Sequence, residues 1–272
     1  TYGAQFVASS SVESQFIFHD SKFVSAKRLR QQNFCKILDF KITRLFVWLL
    51  PFFMRKDAAF IFDFDGTLAD SLPAICKALV KTYENFGLVS PGIDEFISRF
   101  GATEYGILKS LNPDKGDAMY DEFMRQYALL TDAMAPRPFD GVVEMLGALK
   151  KSGIRMALVT GKSLASTYYA LGKYNLDTYF DYVGVGGDTG SVKTLRISTA
   201  IKRWEISPDN VYYVGDSPMD VDDAKRAGVH AISAAWAGGR FSKEIVGKNP
   251  EMIFGDIKTF KLWLAEKFGV NF

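Results

Sequence analysis

Two aspartates one residue apart, Asp63 and Asp65 in the run Asp63-Phe64-Asp65-Gly66-Thr67-Leu68, are the residues of this chain best suited to chemistry. On a chain leaving a strand, carboxylates at i and i+2 can face one ligand pocket, and Gly66 permits the sharp turn that brings them there. One carboxylate can then attack an electrophile such as phosphorus while the other moves protons. The plainer alternatives are a solvated Asp-Gly turn and the start of a calcium loop. An EF-hand loop opening at Asp63 needs glutamate at its twelfth position, where this chain has Ala74.

A second acidic run, Val214-Gly215-Asp216-Ser217-Pro218-Met219-Asp220, also follows an apolar stretch. If both runs leave parallel strands, Asp216 and Asp220 meet Asp63 and Asp65 at one sheet edge. Clustered carboxylates repel, and a hard divalent cation with oxygen ligands relieves that repulsion. Asp216 or Ser217 also suits a helix N-cap, and capping and metal binding can coexist.

Val159-Thr160-Gly161-Lys162-Ser163 offers a hydroxyl and free N–H groups suited to phosphate oxygens, with a helix cap as the plainer reading of Thr160. A nucleotide P-loop is excluded because Met156 stands where its first glycine belongs, and a dinucleotide fingerprint at Gly184 fails at Thr189. Lys193 falls at an expected helix start, the end of the dipole that a surface lysine normally avoids. Beside clustered acids and phosphate it would neutralise charge, with Lys162 as a weaker substitute.

The elements that must position these groups are legible as short apolar strands alternating with amphipathic helices. Strands are expected at Ala58–Phe62, Arg155–Val159, Tyr182–Val185, Val211–Val214, His230–Ser233 and Met252–Phe254. Helices are expected at about 141–151, 164–174, 194–204, 220–227 and 257–267, which implies a doubly wound parallel α/β sheet. Residues 72–138 break the alternation. They contain four amphipathic helical patterns, at 73–86, 93–100, 104–111 and 117–130, and read as a helical insertion with turns at Pro91-Gly92, Pro136 and Pro138.

The chain of 272 residues carries a net charge of +2, yet residues 1–56 hold nine Lys or Arg against three acids. The remainder is therefore acidic on balance and offers no basic footprint for nucleic acid. Leu45–Phe53 is apolar but far shorter than the roughly 20 residues needed to span a bilayer. The N-terminal segment suits a transit peptide or an interfacial anchor. The blander reading is that residues 1–53 are an extension outside the fold, since Met54 directly precedes the first strand run. Cys35 and Cys76 form no disulfide framework or zinc cluster, which fits a reducing, cytoplasmic setting.

Taken in order, the four segments resemble the motifs of haloacid dehalogenase-like hydrolases across nearly all of residues 57–240. The resemblance implies a Rossmannoid core at 54–71 and 139–272 with a helical cap at 72–138. It implies Asp63 as nucleophile, Asp65 as general acid and base, Thr160 and Gly161 as phosphate binders, and Lys193 as the lysine that steadies both. Mg2+ would be held by Asp63, the Asp65 backbone carbonyl and Asp216, with Asp220 in support. Arg99, Gly101 and Lys109 are the cap residues expected to touch substrate. Asp63–Ser71 looks closest to phosphoglycolate phosphatases, so the implied activity is hydrolysis of a small phosphorylated metabolite. The dehalogenases that name the superfamily lack the second acid, so carbon–halogen chemistry is disfavoured. One departure is Thr194, where close relatives have proline after the lysine. A sugar phosphomutase and a non-catalytic, membrane-associated binding protein are the alternatives; oligomeric state is not legible.

Overall fold

The computed structural model describes residues 58–238, 242–249 and 252–272. The expectations for residues 1–53, including the anchor, the transit peptide and Cys35, lie outside the described residues. Among the described residues six strands form one parallel sheet in the order β3-β2-β1-β4-β5-β6. They are β1 Ala59–Phe62, β2 Arg155–Val159, β3 Tyr182–Gly184, β4 Val211–Gly215, β5 His230–Ala234 and β6 Ile253–Phe254. The α/β, doubly wound expectation holds. Because β1 is central and strand order reverses beside it, the crevice at its C-terminal end is a topological switch point.

Register sets what reaches that crevice. Phe62 is level with both Leu158 and Val214, so Asp63, Thr160 and Asp216 all leave the sheet at the same edge. The Asp63 N–H donates to the Val214 carbonyl at 2.9 Å, extending the β1–β4 ladder to the aspartate itself.

The two-residue period of the strands divides the core. Phe60, Phe62, Leu158, Tyr212 and Val214 face one side, packing with α5 Val142–Lys151, α6 Leu164–Tyr174 and α10 Ile257–Phe268. Ala59, Ile61, Ala157, Val159 and Tyr213 face the other, against α7 Lys193–Trp204 and α8 Pro218–Ala227. Phe60 stacks on Tyr212 with ring centroids 5.2 Å apart and meets Phe268 edge-on at 5.4 Å. Full burial of a phenylalanine such as Phe60 contributes roughly 1.5–3 kcal/mol. Helix α9 Ser242–Lys248 precedes β6.

Between β1 and α5 run four helices, α1 Leu72–Asn85, α2 Ile93–Ser98, α3 Glu104–Leu111 and α4 Gly116–Met134. They share an apolar cluster of their own, with Leu79, Tyr83, Phe96, Leu108, Phe123 and Tyr127 at its centre. This fits the sequence pattern, in which each helix presents one apolar face and the four faces can be buried only against one another. No described helix is long and apolar enough to cross a membrane.

Candidate active site

The chain bends sharply after β1, and the bend depends on Gly66. Its φ of +76° is one that L side chains rarely adopt, and a Cβ there would stand 2.2 Å from Asp216 Oδ2. The loop after β1 therefore lies directly against the loop after β4. Asp63, Asp65, Thr160, Gly161, Lys193 and Asp216 all line one cavity of about 240 Å³, a size suited to a small ligand.

Asp63 is buried. Its Oδ2 accepts from Lys193 Nζ at 2.8 Å, whereas its Oδ1 is buried without a partner among the described residues. Burial pushes its pKa up to about 6, with the nearby charges of Asp220 and Asp65 adding to the rise and Lys193 opposing it. Asp216 is pushed well above the usual carboxylate range by burial and then by Asp220 and Asp63. Lys193 begins α7, and its position at that end of the helix dipole is explained by its second partner, Asp220 Oδ1 at 2.6 Å. Burial would lower its pKa, but the carboxylates of Asp220 and Asp63 outweigh burial and hold it well above the ordinary value.

Asp220 is committed elsewhere on both oxygens. Its Oδ2 accepts from the Ser217 N–H at 3.0 Å and Ser217 Oγ at 2.6 Å, closing a capping box at the start of α8. Its Oδ1, besides holding Lys193, lies 3.1 Å from the Tyr213 hydroxyl. Thus Asp220 fixes Lys193 and the loop of Asp216.

Ligand oxygens of Asp63, Asp216 and Asp220 lie within 4.8 Å of one another. The donors are all hard oxygens, Asp63 Oδ1 is unpaired, and the excess negative charge is buried. Such a set fits a small divalent cation such as Mg2+, with Asp63 and Asp216 as the oxygens free to hold it.

Asp65 is less buried. Its Oδ1 accepts from Ser71 Oγ at 2.5 Å and lies 3.3 Å from Lys162 Nζ. Thr160, at the end of β2, is buried, and its Oγ1 accepts from the Lys162 N–H at 3.3 Å. Gly161 is approached closely from the neighbouring loop: a Cβ on Gly186 would stand 2.2 Å from the Gly161 carbonyl. This backbone contact gives the glycine-rich Gly184–Gly187 stretch a packing role.

The helical segment also reaches the cavity. Gly101 lines it, but Arg99 and Lys109 do not. Arg99 is held by Glu95 at 2.6 Å and Lys109 by Asp117 at 2.7 Å, both as exposed pairs. The residue that sequence reasoning missed is Glu104, the first residue of α3, which is buried at 6% exposure. Its Oε1 lies 3.3 Å from Lys162 Nζ and 2.9 Å from Ser166 Oγ, and its Oε2 accepts from the Ser163 N–H at 2.9 Å. Burial acts to raise its pKa, yet Lys162 and the Ser163 N–H bring it below the ordinary value. No local signal distinguishes this residue from an ordinary first-turn acid.

A family model described as haloacid dehalogenase-like hydrolase matches residues 60–234, which run from β1 to β5 and include Asp63, Asp65, Thr160, Gly161, Lys193, Asp216 and Asp220. The chain belongs to that family. Among curated proteins it is similar to a phosphoglycolate phosphatase of Aquifex aeolicus, 32% identical over 188 residues, covering 68% of this chain and 88% of the relative. Phosphoglycolate phosphatase 1 of Pseudomonas aeruginosa is 28% identical over 225 residues, covering 76% and 80%. The fold is shared with a haloacid dehalogenase-like family hydrolase of Streptococcus pneumoniae at a TM-score of 0.60 and 19% identity, covering 76% of this chain and 98% of that one. In this haloacid dehalogenase-like chain, Thr194, where the resemblance implied proline, leaves the lysine within reach of Asp63. The Thr194 hydroxyl instead donates to Asp223 Oδ1 at 2.6 Å, tying α7 to α8.

Proposed function

We propose that the chain is a magnesium-dependent phosphatase of small phosphomonoesters that works through an aspartyl phosphate on Asp63. The observation that carries the reading is the pairing at the cavity floor. A buried carboxylate with one oxygen held by Lys193 and the other unpaired stands two residues from a second carboxylate with its own lysine. The relatives' names support phosphate-ester hydrolysis.

In this reading an Asp63 oxygen attacks phosphorus, and the bond to the ester oxygen breaks. The Asp65 carboxyl gives its proton to the departing oxygen. As carboxylate, Asp65 then takes a proton from water, whose oxygen attacks phosphorus; the acyl phosphate bond breaks, freeing inorganic phosphate and restoring Asp63. Thr160 Oγ1 and the Gly161 N–H hold phosphoryl oxygens, and Lys193 orients Asp63 and offsets charge. Asp63, Asp216 and the Asp65 carbonyl would hold Mg2+, which when bound would neutralise charge on the phosphoryl oxygens. Helices α1–α4 act as a cap, residues 72–138, that shields the reaction from water and meets the leaving group. The cavity suits an ester on the scale of phosphoglycolate.

The test is phosphate release from a panel of small phosphomonoesters with Mg2+ and with chelator. Release that depends on Mg2+ and disappears in Asp63→Asn is the expected result. Equal release by that variant contradicts the assignment of the nucleophile.

A further inference from the structure

The cavity is lined by large apolar side chains as well as by the charged groups of the site. Leu72 and Ile75 from α1, Ile97 and Phe100 from α2 and the turn after it, Ile107 from α3 and Met219 from α8 supply that apolar lining. Among the described residues two cations line the cavity, Lys162 and Lys193, and each already faces two carboxylates. Neither is free to receive an anionic group on the substrate's leaving side.

Lys162 is the one that the helical segment reaches, through Glu104 of α3. Its side chain is 1% exposed, and its ammonium lies 3.3 Å from Asp65 and 3.3 Å from Glu104 and stands 4.5 Å over the ring of Tyr127. An ammonium has three donors, and two carboxylates and an aromatic face take up these directions. Glu104 cannot readily yield its place, since the Ser163 N–H and Ser166 Oγ hold it as well. Glu104 by itself offsets the charge of Lys162, so even with Asp65 protonated for its role as acid this wall carries no net positive charge. Exposed Glu244, which also lines the cavity, adds negative charge.

Resting on the phosphatase reading above, we propose that the cavity selects phosphomonoesters with an uncharged, apolar leaving group. Glu104 sets this preference by occupying Lys162. A carboxylate in the leaving group would be buried against Glu104 without a counter-ion, which is costly. A hydrocarbon of the same shape would be buried against Ile75, Phe100 and Ile107 with gain.

The test compares kcat/KM for 2-phosphoglycolate and isobutyl phosphate, in which methyl groups replace the carboxylate oxygens, using the full chain with Mg2+. The expected result is a preference for isobutyl phosphate of about tenfold or more, the equivalent of displacing or stranding one buried charge. Glu104→Gln, which keeps hydrogen-bonding capacity toward Ser163 and Ser166 but frees Lys162, narrows that ratio severalfold. Equal or better turnover of phosphoglycolate by the wild type overturns the proposal and leaves the phosphatase reading standing. An unchanged ratio in a folded Glu104→Gln protein overturns the role of Glu104. Hydrolysis of neither ester, nor of any other small phosphomonoester, overturns the phosphatase reading and the preference with it. The wild-type comparison decides the preference even where the variant fails to fold.

Discussion

Lys193 Nζ lies between Asp63 Oδ2 at 2.8 Å and Asp220 Oδ1 at 2.6 Å, with all three side chains buried. One cation from the start of α7 thus joins the acid at the end of β1 to the acid that caps α8. Removing it leaves two buried carboxylates, and Asp216 beside them, without a counter-charge. Lys193→Met should therefore destabilise the metal-free protein at pH 7.5 by about 3–5 kcal/mol, with a smaller loss at pH 5 as carboxylates protonate. Denaturant unfolding at the two pH values measures this. An equal loss at both would mean that the lysine contributes packing rather than charge.

The Asp63 carboxyl, raised from 3.8 to about 6 chiefly by burial, gives stability a pH dependence of definite sign. Its folded site favours the protonated form, so that contribution is fully present below pH 3.8 and is lost as pH rises through about 6. Asp63→Asn keeps the neutral form at every pH. In chelator at pH 7.5 it should be more stable than the wild type by about 1–3 kcal/mol, and the difference should vanish toward pH 4. Thermal melts across that range check it; a less stable variant at pH 7.5 would show that the Lys193 pair outweighs burial.

Gly66 is required twice over, by its φ of +76° and by the carboxylate of Asp216 at the position of its missing Cβ. Gly66→Ala should cost about 1–3 kcal/mol in stability. It should also lower kcat/KM by about a hundredfold, because the loops after β1 and β4 must separate. Steady-state kinetics beside a melt distinguishes this from simple unfolding.

Much of this arrangement was legible because it is local. The run Ala58–Phe62 ends in acids, and the strand observed there, Ala59–Phe62, delivers Asp63 to the sheet edge. Helix α6, expected at Leu164–Tyr174, is observed over the same residues, with Ser163 capping it. Helix α8 begins at Pro218, two residues before its expected start, because Ser217 and Asp220 form a capping box around a proline at its first position. Helix α4 runs from Gly116 to Met134, beyond the expected 117–130, and adds one turn, Thr131–Met134. What escaped was tertiary. Glu104 resembles any acid in a first helical turn, and only the fold brings it to Lys162, 58 residues away. Arg99 and Lys109 are expected from the sequence to touch substrate, but Glu95 of α2 and Asp117 of α4 hold them.

Thr194 offers a narrower check. Its hydroxyl donates to Asp223, which also receives Ser191 and Arg226, so its role is to fasten α7 to α8. Thr194→Val should lower stability by about 1 kcal/mol. It should leave kcat/KM within about twofold, since Lys193 keeps both carboxylates. A large catalytic loss would assign the hydroxyl to the site.

The central claim is that phosphorus passes through a bond to Asp63. The most direct measurement is mass spectrometry of protein acid-quenched during turnover of a phosphomonoester with Mg2+, followed by peptide mapping. A phosphoryl group on the peptide of Asp63, removable by hydroxylamine and absent from Asp63→Asn, is the predicted result. Label on another residue, or sustained turnover with no acyl phosphate formed, would contradict it.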